Sequence, residues 1–426
     1  MFSPTSWRRT ALACALVLAL PAGLAVAAPP TPATLTLPAA VQHATERSRQ
    51  LAAQEHSTIA ARAMAVAAAQ LPDPVLKAGV DNLPLSGADR YRIGADSMTM
   101  RRIGVMQELT SSDKRRWRAA RFEREAERSR AAGEALAAAL QRDTAIAWLE
   151  RHYLERMAAV LAAQAGVARD EISAVEAAHR GGRATQAAVL EARAAWLALQ
   201  DRASELALQQ RSAGIALERW TGLAASTPLA GAPDTSALGI DPAALEALLE
   251  HHPKVAVLTR QAELAQAEAG LARASRSNDW SVEVALQQRG PGYPSMVSFG
   301  ISVPLQWDRA RRQDRELGAR LAAADQALAE RDEVLREHVA EVRGQLAEWQ
   351  SGRERITRYR DEVLPLAAAR TAALQAAYRG GKAALAEVLA ARRAEGEQQL
   401  QALQLERQNA RAWAQLNYIQ PVKEHP

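Results

Sequence analysis

The sequence predicts a mainly α-helical protein with a small β part, built as one supersecondary unit used twice. Three observations predict it. The run HRGGRATQAAVLEAR at His179–Arg193 returns as YRGGKAALAEVLAAR at Tyr378–Arg392, and the copies start 199 residues apart in a 426-residue chain. A near-repeat at half-chain spacing marks a duplicated unit. Long proline-free runs are crowded with Ala, Leu, Glu, Gln and Arg, the strong helix formers. Four short segments instead alternate apolar and polar residues with period two, which is the strand signature.

Composition narrows the class. Aromatic residues make up 4% of the chain and only 3 are Phe, which is few large side chains for a thick globular core; thin helical layers with small contact residues need fewer. The net charge is +5, and basic residues alternate with acidic ones along the helical runs. That is the pattern of a solvated helix face, and no basic stripe with interleaved aromatics points to nucleic acid.

Residues 1–28 read as an export signal. Arg8 and Arg9 give a positive start, Ala11 to Leu20 an apolar run, and Ala25-Val26-Ala27 or Val26-Ala27-Ala28 a small-residue cleavage site. The single cysteine, Cys14, lies within this leader in a poor lipidation context, so no lipid anchor is expected. The mature chain then has no thiol, hence no disulfide and no thiolate metal site. No later stretch has the ~18 uninterrupted apolar residues of a spanning helix.

The first repeat is expected over 29–221. Pro38 to Leu71 reads as helix, ended by Pro72-Asp73-Pro74. Strands follow at about 74–84, where Leu76, Ala78 and Val80 alternate with Lys77, Gly79 and Asp81, and at about 98–110, where Ile103 and Val105 share a face. A long helix runs over 113–179, roughly 100 Å at 1.5 Å per residue, far beyond a globular helix and in the range of a coiled coil or helical tube. Gly181-Gly182 turns the chain, a return helix covers 184–220, and a Gly/Pro/Ser-rich linker spans 222–241.

The second repeat, 242–426, keeps the order. PAALEALLEHHPKV from Pro242 echoes PAAVQHATERSRQL from Pro38, 204 residues later, and its helix is expected to reach about Ser275. Strands are expected at about 279–289 and 295–306; in the latter Val297, Phe299, Ile301, Val303 and Leu305 fall on one face. A long helix over 308–379, the Gly380-Gly381 turn and a return helix over 383–419 complete the unit.

Each half therefore places its strands at one end and its Gly-Gly turn at the other. An apolar strand face with no helix to cover it needs another cover, and lipid supplies one. Segments of about ten alternating residues are the signature of membrane barrels. Four strands cannot close such a barrel, and open edges are not tolerated in lipid, so several chains must each contribute strands.

Over essentially the whole mature chain these features resemble the TolC family of outer-membrane efflux channels. The strand pair LPDPVLKAGVDNLPL and MTMRRIGVMQELTSSDKRR looks like the branch that serves heavy-metal pumps of the resistance-nodulation-division class, the CzcC- and CusC-like channels. The resemblance implies a homotrimer in which a twelve-stranded barrel in the outer membrane continues as a tube of helices into the periplasm. It implies three further partners: outer-membrane lipid, a periplasmic adaptor at the tube's tip and an inner-membrane proton-driven pump. The cargo implied is a heavy-metal cation of the copper, cobalt, zinc and cadmium class. A channel for drugs or secreted proteins stays open as an alternative. A periplasmic coiled-coil adaptor fits less well, since it would carry one helical hairpin rather than two.

The family's tip motif, Tyr-x-x-Gly followed by Asp-x-Leu-Asp-Ala, is matched by Tyr378 and Gly381, with Glu387 at the first acidic position and Ala390 at the second; the first copy has His179, Gly182, Ala188 and Glu191. Glu387 and Glu191 are thus candidates for carboxylate rings that narrow the pore, or else ordinary solvated helix residues. Arg180, Arg183, Arg379 and Lys382 flank the turns and either contact the adaptor or simply suit helix C-termini. Gly181, Gly182, Gly380 and Gly381 complete the candidate docking tip and are expected to need positive φ. Pro365 lies inside a long helix, and the position 199 residues earlier is Gly166; together they are a candidate hinge or a static kink.

His251-His252 beside Pro253 lacks a third ligand nearby and is read as surface or interface. Met98 and Met100 are read as packing or lipid-facing rather than as copper ligands. No P-loop, nucleophile triad or zinc-ligand spacing is present. The chain is therefore expected to be no enzyme and to hold no cofactor or metal of its own.

Overall fold

The structure is a computed structural model that describes residues 34–231, 233–239, 249 and 252–422. The leader with Cys14, the start of the second repeat at Pro242 and His251 lie outside the described residues.

The chain opens with α1, Leu37–Arg47, and α2, Arg49–Ala68. The sequence suggests one helix over Pro38 to Leu71, but it is two. Ser48 leaves helical geometry with ψ 108°, and its hydroxyl accepts the Leu51 N–H at 3.3 Å, capping α2. A serine in a helical run is equally content as a cap, and nothing else in the sequence marked the break. The second half starts its helix α5, Pro253–Ala274, at His252, 204 residues after Ser48, where the imidazole Nδ1 accepts the Lys254 N–H at 3.1 Å. There the helix start has a readable sign in the sequence, Pro253 at the first helical position.

Strands β1, Val75–Asp81, and β2, Met100–Leu109, lead into α3, Ser112–Arg180, a single helix of 69 residues. After the turn comes α4, Gln186–Thr221, ended by Gly222 in the left-handed region, φ 73°. The second half supplies α5, then β3, Trp280–Gln288, and β4, Met296–Ser302. These strands are shorter than the sequence ranges; Pro304 forbids β4 the ladder beyond its observed end. The following helix α6 is Gln313–Arg358, starting five residues later than the expected 308. Tyr359–Val363 then form one wide π turn before α7, Leu364–Arg379, and α8, Leu385–Asn417, closes the chain. The long helix over 308–379 is thus interrupted. Pro365 explains this: it has no N–H, and its ring crowds the carbonyl four residues back, so an extra residue is looped out just before it.

The sheet is antiparallel in the order β1-β2-β3-β4, with Leu76 opposite Val105, Val105 opposite Val284 and Val284 opposite Phe299. Paired residues point to one side, so a single register fixes two chemically distinct faces. The main core lies away from the sheet, where α1, α3, α4, α6 and α8 converge on buried Trp148, Leu149, Leu154, Leu217, Trp349 and Trp413. The linker after α4 wraps this core. Leu35 pairs with Leu229 as a one-residue parallel bridge. Three indole N–H groups hold backbone carbonyls around it: Trp148 donates to Leu35 at 3.0 Å, Trp349 to Thr235 at 3.2 Å and Trp413 to Ala237 at 2.8 Å. A buried indole needs such an acceptor, which is why an aromatic-poor chain spends tryptophans here.

Candidate functional site: the sheet face and the hairpin tips

One face of the sheet carries Leu76, Ala78, Val80, Ile103, Val105, Val282, Val284, Leu286, Val297, Phe299 and Ile301. No helix covers it: Phe299 is 80% exposed and Ile301 68%. Leaving such side chains in water forfeits roughly 2 kcal/mol each, so this face is built for an apolar medium. No helix among the described residues is long and apolar enough to cross a membrane. Within the chain β1 and β4 are edge strands with unpaired backbone groups.

The opposite face is polar, and the sequence did not disclose its organisation. Glu283 of β3 accepts from Lys77 of β1 at 2.9 Å and from Arg102 of β2, whose guanidinium also lies 3.9 Å from Asp81. Lys77, Arg102 and Glu283 thereby tie three strands together across the face. On the same face β2 passes close to β3 at Gly104, where a Cβ would lie 2.7 Å from that of Ala285. Only the pairing register brings residues from the two halves together, so no local pattern announces this network.

At the far end the two hairpin turns have nearly the same backbone. Gly181 donates to Ala177 at 3.1 Å, Gly182 to His179 at 3.0 Å and Arg183 to Ala178 at 2.9 Å; Gly380, Gly381 and Lys382 repeat these bonds to Ala376, Tyr378 and Ala377 at 3.1, 3.0 and 2.8 Å. Positive φ falls only on the second glycine of each pair, Gly182 at 70° and Gly381 at 71°. Gly181 and Gly380, at −84° and −83°, do not have the positive φ expected of them. Arg180, Arg183, Arg379 and Lys382 are exposed around the turns. Val175, Val189 and Leu389 form a small cluster that packs the two tips together.

Glu387 is exposed near the α8 start, and its carboxylate accepts the Ala384 N–H at 2.9 Å as a helix cap does. Glu191 is exposed one turn into α4. Between the hairpins lies a groove of about 500 Å³ lined by Gln164 and Glu171 of α3, Leu199 of α4, Gln375 of α7 and Arg392 of α8. Burial raises the pKa of Glu171. Helix α3 passes through Gly166 without a break, whereas the Pro365 region carries the π turn. Beside it, the Arg360 guanidinium bonded to Asp361 holds that carboxyl below its usual value.

His252 does find a partner, in His338 of α6: the ring centroids are 4.0 Å apart. His338 Nδ1 lies 3.2 Å from Glu341. Burial first, then the charges of His338, Lys254 and Arg142, push His252 down to about 4. Among the described residues no group of three His, Cys, Asp or Glu side chains comes together to hold a metal ion. Contrary to the sequence reading, Met98 lies in the loop before β2 rather than on the strand, and Met100 begins that strand on the polar face with Arg102 rather than on the apolar one.

The same architecture recurs among solved structures. A CusC structure, in a study of transmembrane channel formation, matches with TM-score 0.76 at 16% identity over 90% of this chain and 91% of that one. A membrane protein from Pseudomonas aeruginosa matches with TM-score 0.77 at 18% identity, covering 90% and 92%. The outer-membrane channel OprN matches with TM-score 0.76 at 17% identity, covering 90% and 89%. No protein-family model and no curated protein matches the sequence.

Proposed function

We propose that this chain, whose fold is that of the outer-membrane channels, is itself such a channel: a passive, non-enzymatic exit duct in a tripartite efflux system. The observation that carries the reading is the four-stranded sheet with two open edges and an uncovered apolar face. In hydrocarbon those edges have to be closed by sister strands. Three chains give twelve strands, enough for a water-filled lumen, and the polar face with Lys77, Arg102 and Glu283 then lines it. The long helices continue the lumen into the periplasm, and the tips with Arg180, Gly181, Gly182, Arg183, Arg379, Gly380, Gly381 and Lys382 meet the adaptor, which links the duct to an inner-membrane proton-driven pump. Glu191 and Glu387 ring the narrow end, and Gly166 with Pro365 lets the lower tube bend.

Heavy-metal cations are the proposed cargo, supported by the resemblance of the first strand pair to the metal branch. A conduit need not hold its cargo tightly, since conduction requires release. Purified mature protein is expected to need detergent, to run at three times the chain mass and to open pores in a planar bilayer. A water-soluble monomer that leaves bilayers intact overturns the reading. Deleting the gene is expected to sensitise cells to one or a few metals; sensitivity confined to organic drugs overturns the cargo assignment alone.

A further inference from the structure

The apolar sheet face ends, on the side where the helices begin, in a corner that is longer and more exposed than its first-half counterpart, where Lys114 is buried and Arg116 pairs with Asp113 at 3.2 Å. Ten residues, 303–312, separate β4 from α6. Beyond β4 the exposed side chains Leu305 and Trp307 follow, Trp307 in a turn and 89% exposed. Immediately after it come Arg309, Arg311, Arg312 and Arg315, all exposed. Asp314 pairs with Arg276 at 2.9 Å and Arg309 at 3.6 Å. Asp308 accepts the Arg311 backbone N–H at 3.3 Å. That leaves Glu316 as the segment's one carboxylate without a bond, while no carboxylate among the described residues pairs with Arg311, Arg312 or Arg315.

We infer that this corner binds anionic phospholipid headgroups at the periplasmic rim of the barrel, an inference that rests on the channel reading above. An exposed indole at the end of an apolar sheet face suits the headgroup level. Guanidinium groups just below it meet phosphates with paired, charge-assisted hydrogen bonds. A cluster of basic residues next to a membrane-inserted surface is selective for anionic over zwitterionic lipid. A second copy of the chain is the competing occupant, but four exposed arginines in one short segment suit phosphates better than another copy of the same basic surface.

The test uses the full mature protein, delipidated in neutral detergent and titrated with phosphatidylglycerol or phosphatidylcholine. Lipid retained on the intact oligomer is read by native mass spectrometry, and pore formation is recorded in parallel. The wild type is expected to retain phosphatidylglycerol preferentially and to lose that preference in high salt. R311Q/R312Q/R315Q is expected to retain it roughly tenfold less, with pores unchanged. Equal retention of the two lipids by the wild type, or undiminished retention by the variant, overturns the inference and leaves the channel standing. Dissociation of the variant into monomers in either lipid also overturns it, since the corner is then a subunit contact. A wild type that forms neither oligomer nor pore overturns both readings.

Discussion

The two corners where sheet meets helix started as copies and now do different work. In the first half only Thr110 and Ser111 separate β2 from α3, and the joint is packed tight. Lys114 is 5% exposed and bonds Asp279 at 2.7 Å, Ser111 donates its N–H to the same carboxylate at 3.1 Å, and the Gln107 amide reaches the Pro72 carbonyl at 2.8 Å. In the second half the Gln306 amide makes the matching reach, to Ser275 at 3.3 Å, but the charged pairs around Asp314 stand in solvent and α6 starts without a side-chain cap. Duplication conserved the reach of a glutamine and let the burial of charge diverge. One corner is a structural joint; the other is free to be a surface.

The largest effect that would break this contrast is Asp279→Ala. It strands the buried Lys114 ammonium and is expected to cost about 3 kcal/mol, read as a lowered urea midpoint. A loss no larger than that of Asp314→Ala would show that the first corner is not a joint. Next comes acid. His252 is held neutral at about 4 in the fold against about 6.5 when unfolded. The unfolded chain therefore binds the extra proton first, and stability is full above about pH 6.5 and falls as pH drops toward 4. With a partly exposed ring the loss is discounted to roughly 2 kcal/mol. His338, Glu341, Lys254, Arg142, Asp143 and Arg411 share the surrounding pocket, so His252→Gln should flatten the pH profile of the urea midpoint without removing its other contributions.

Smaller effects sharpen the comparison at the far end. Gly182→Ala and Gly381→Ala each force an L side chain into the left-handed region, at about 1–2 kcal/mol. Equal losses in thermal melts would confirm that the tips remain energetic twins, and a one-sided loss would separate them. Gly166→Ala meets nothing within 4 Å and should stabilise by about 1 kcal/mol; Pro365→Ala should restore regular helix across the π turn. If both changes together leave single-channel conductance untouched, neither position is a hinge. Smallest is Asp314→Ala, within about 1 kcal/mol for a pair that sits in solvent, measured by the same urea midpoint.

What was legible in the sequence was whatever obeys a local period. Strand parity at Val297, Phe299 and Ile301, the uninterrupted run of α3 and the Gly-Gly turns follow from near neighbours alone. Illegible were features fixed by partners far away in the chain. Glu283 looks like any polar strand residue until the register sets Lys77 and Arg102 beside it, and His338 has no meaning without His252. Ser48 hid a helix break because serine is neutral inside a helix and favourable as its cap. At the hairpin turns positive φ was expected at four glycines and occurs at two, since one left-handed residue suffices to reverse each hairpin.

The open edges of β1 and β4 bear on how such a chain comes of age. On the channel reading proposed above, a copy that has not yet met its sisters displays two unsatisfied ribbons and an oily flank, so its maturation should accelerate steeply with concentration. Dilute copies should linger in the hands of whatever chaperone masks those surfaces. Expression level, more than sequence, then decides between insertion and precipitation.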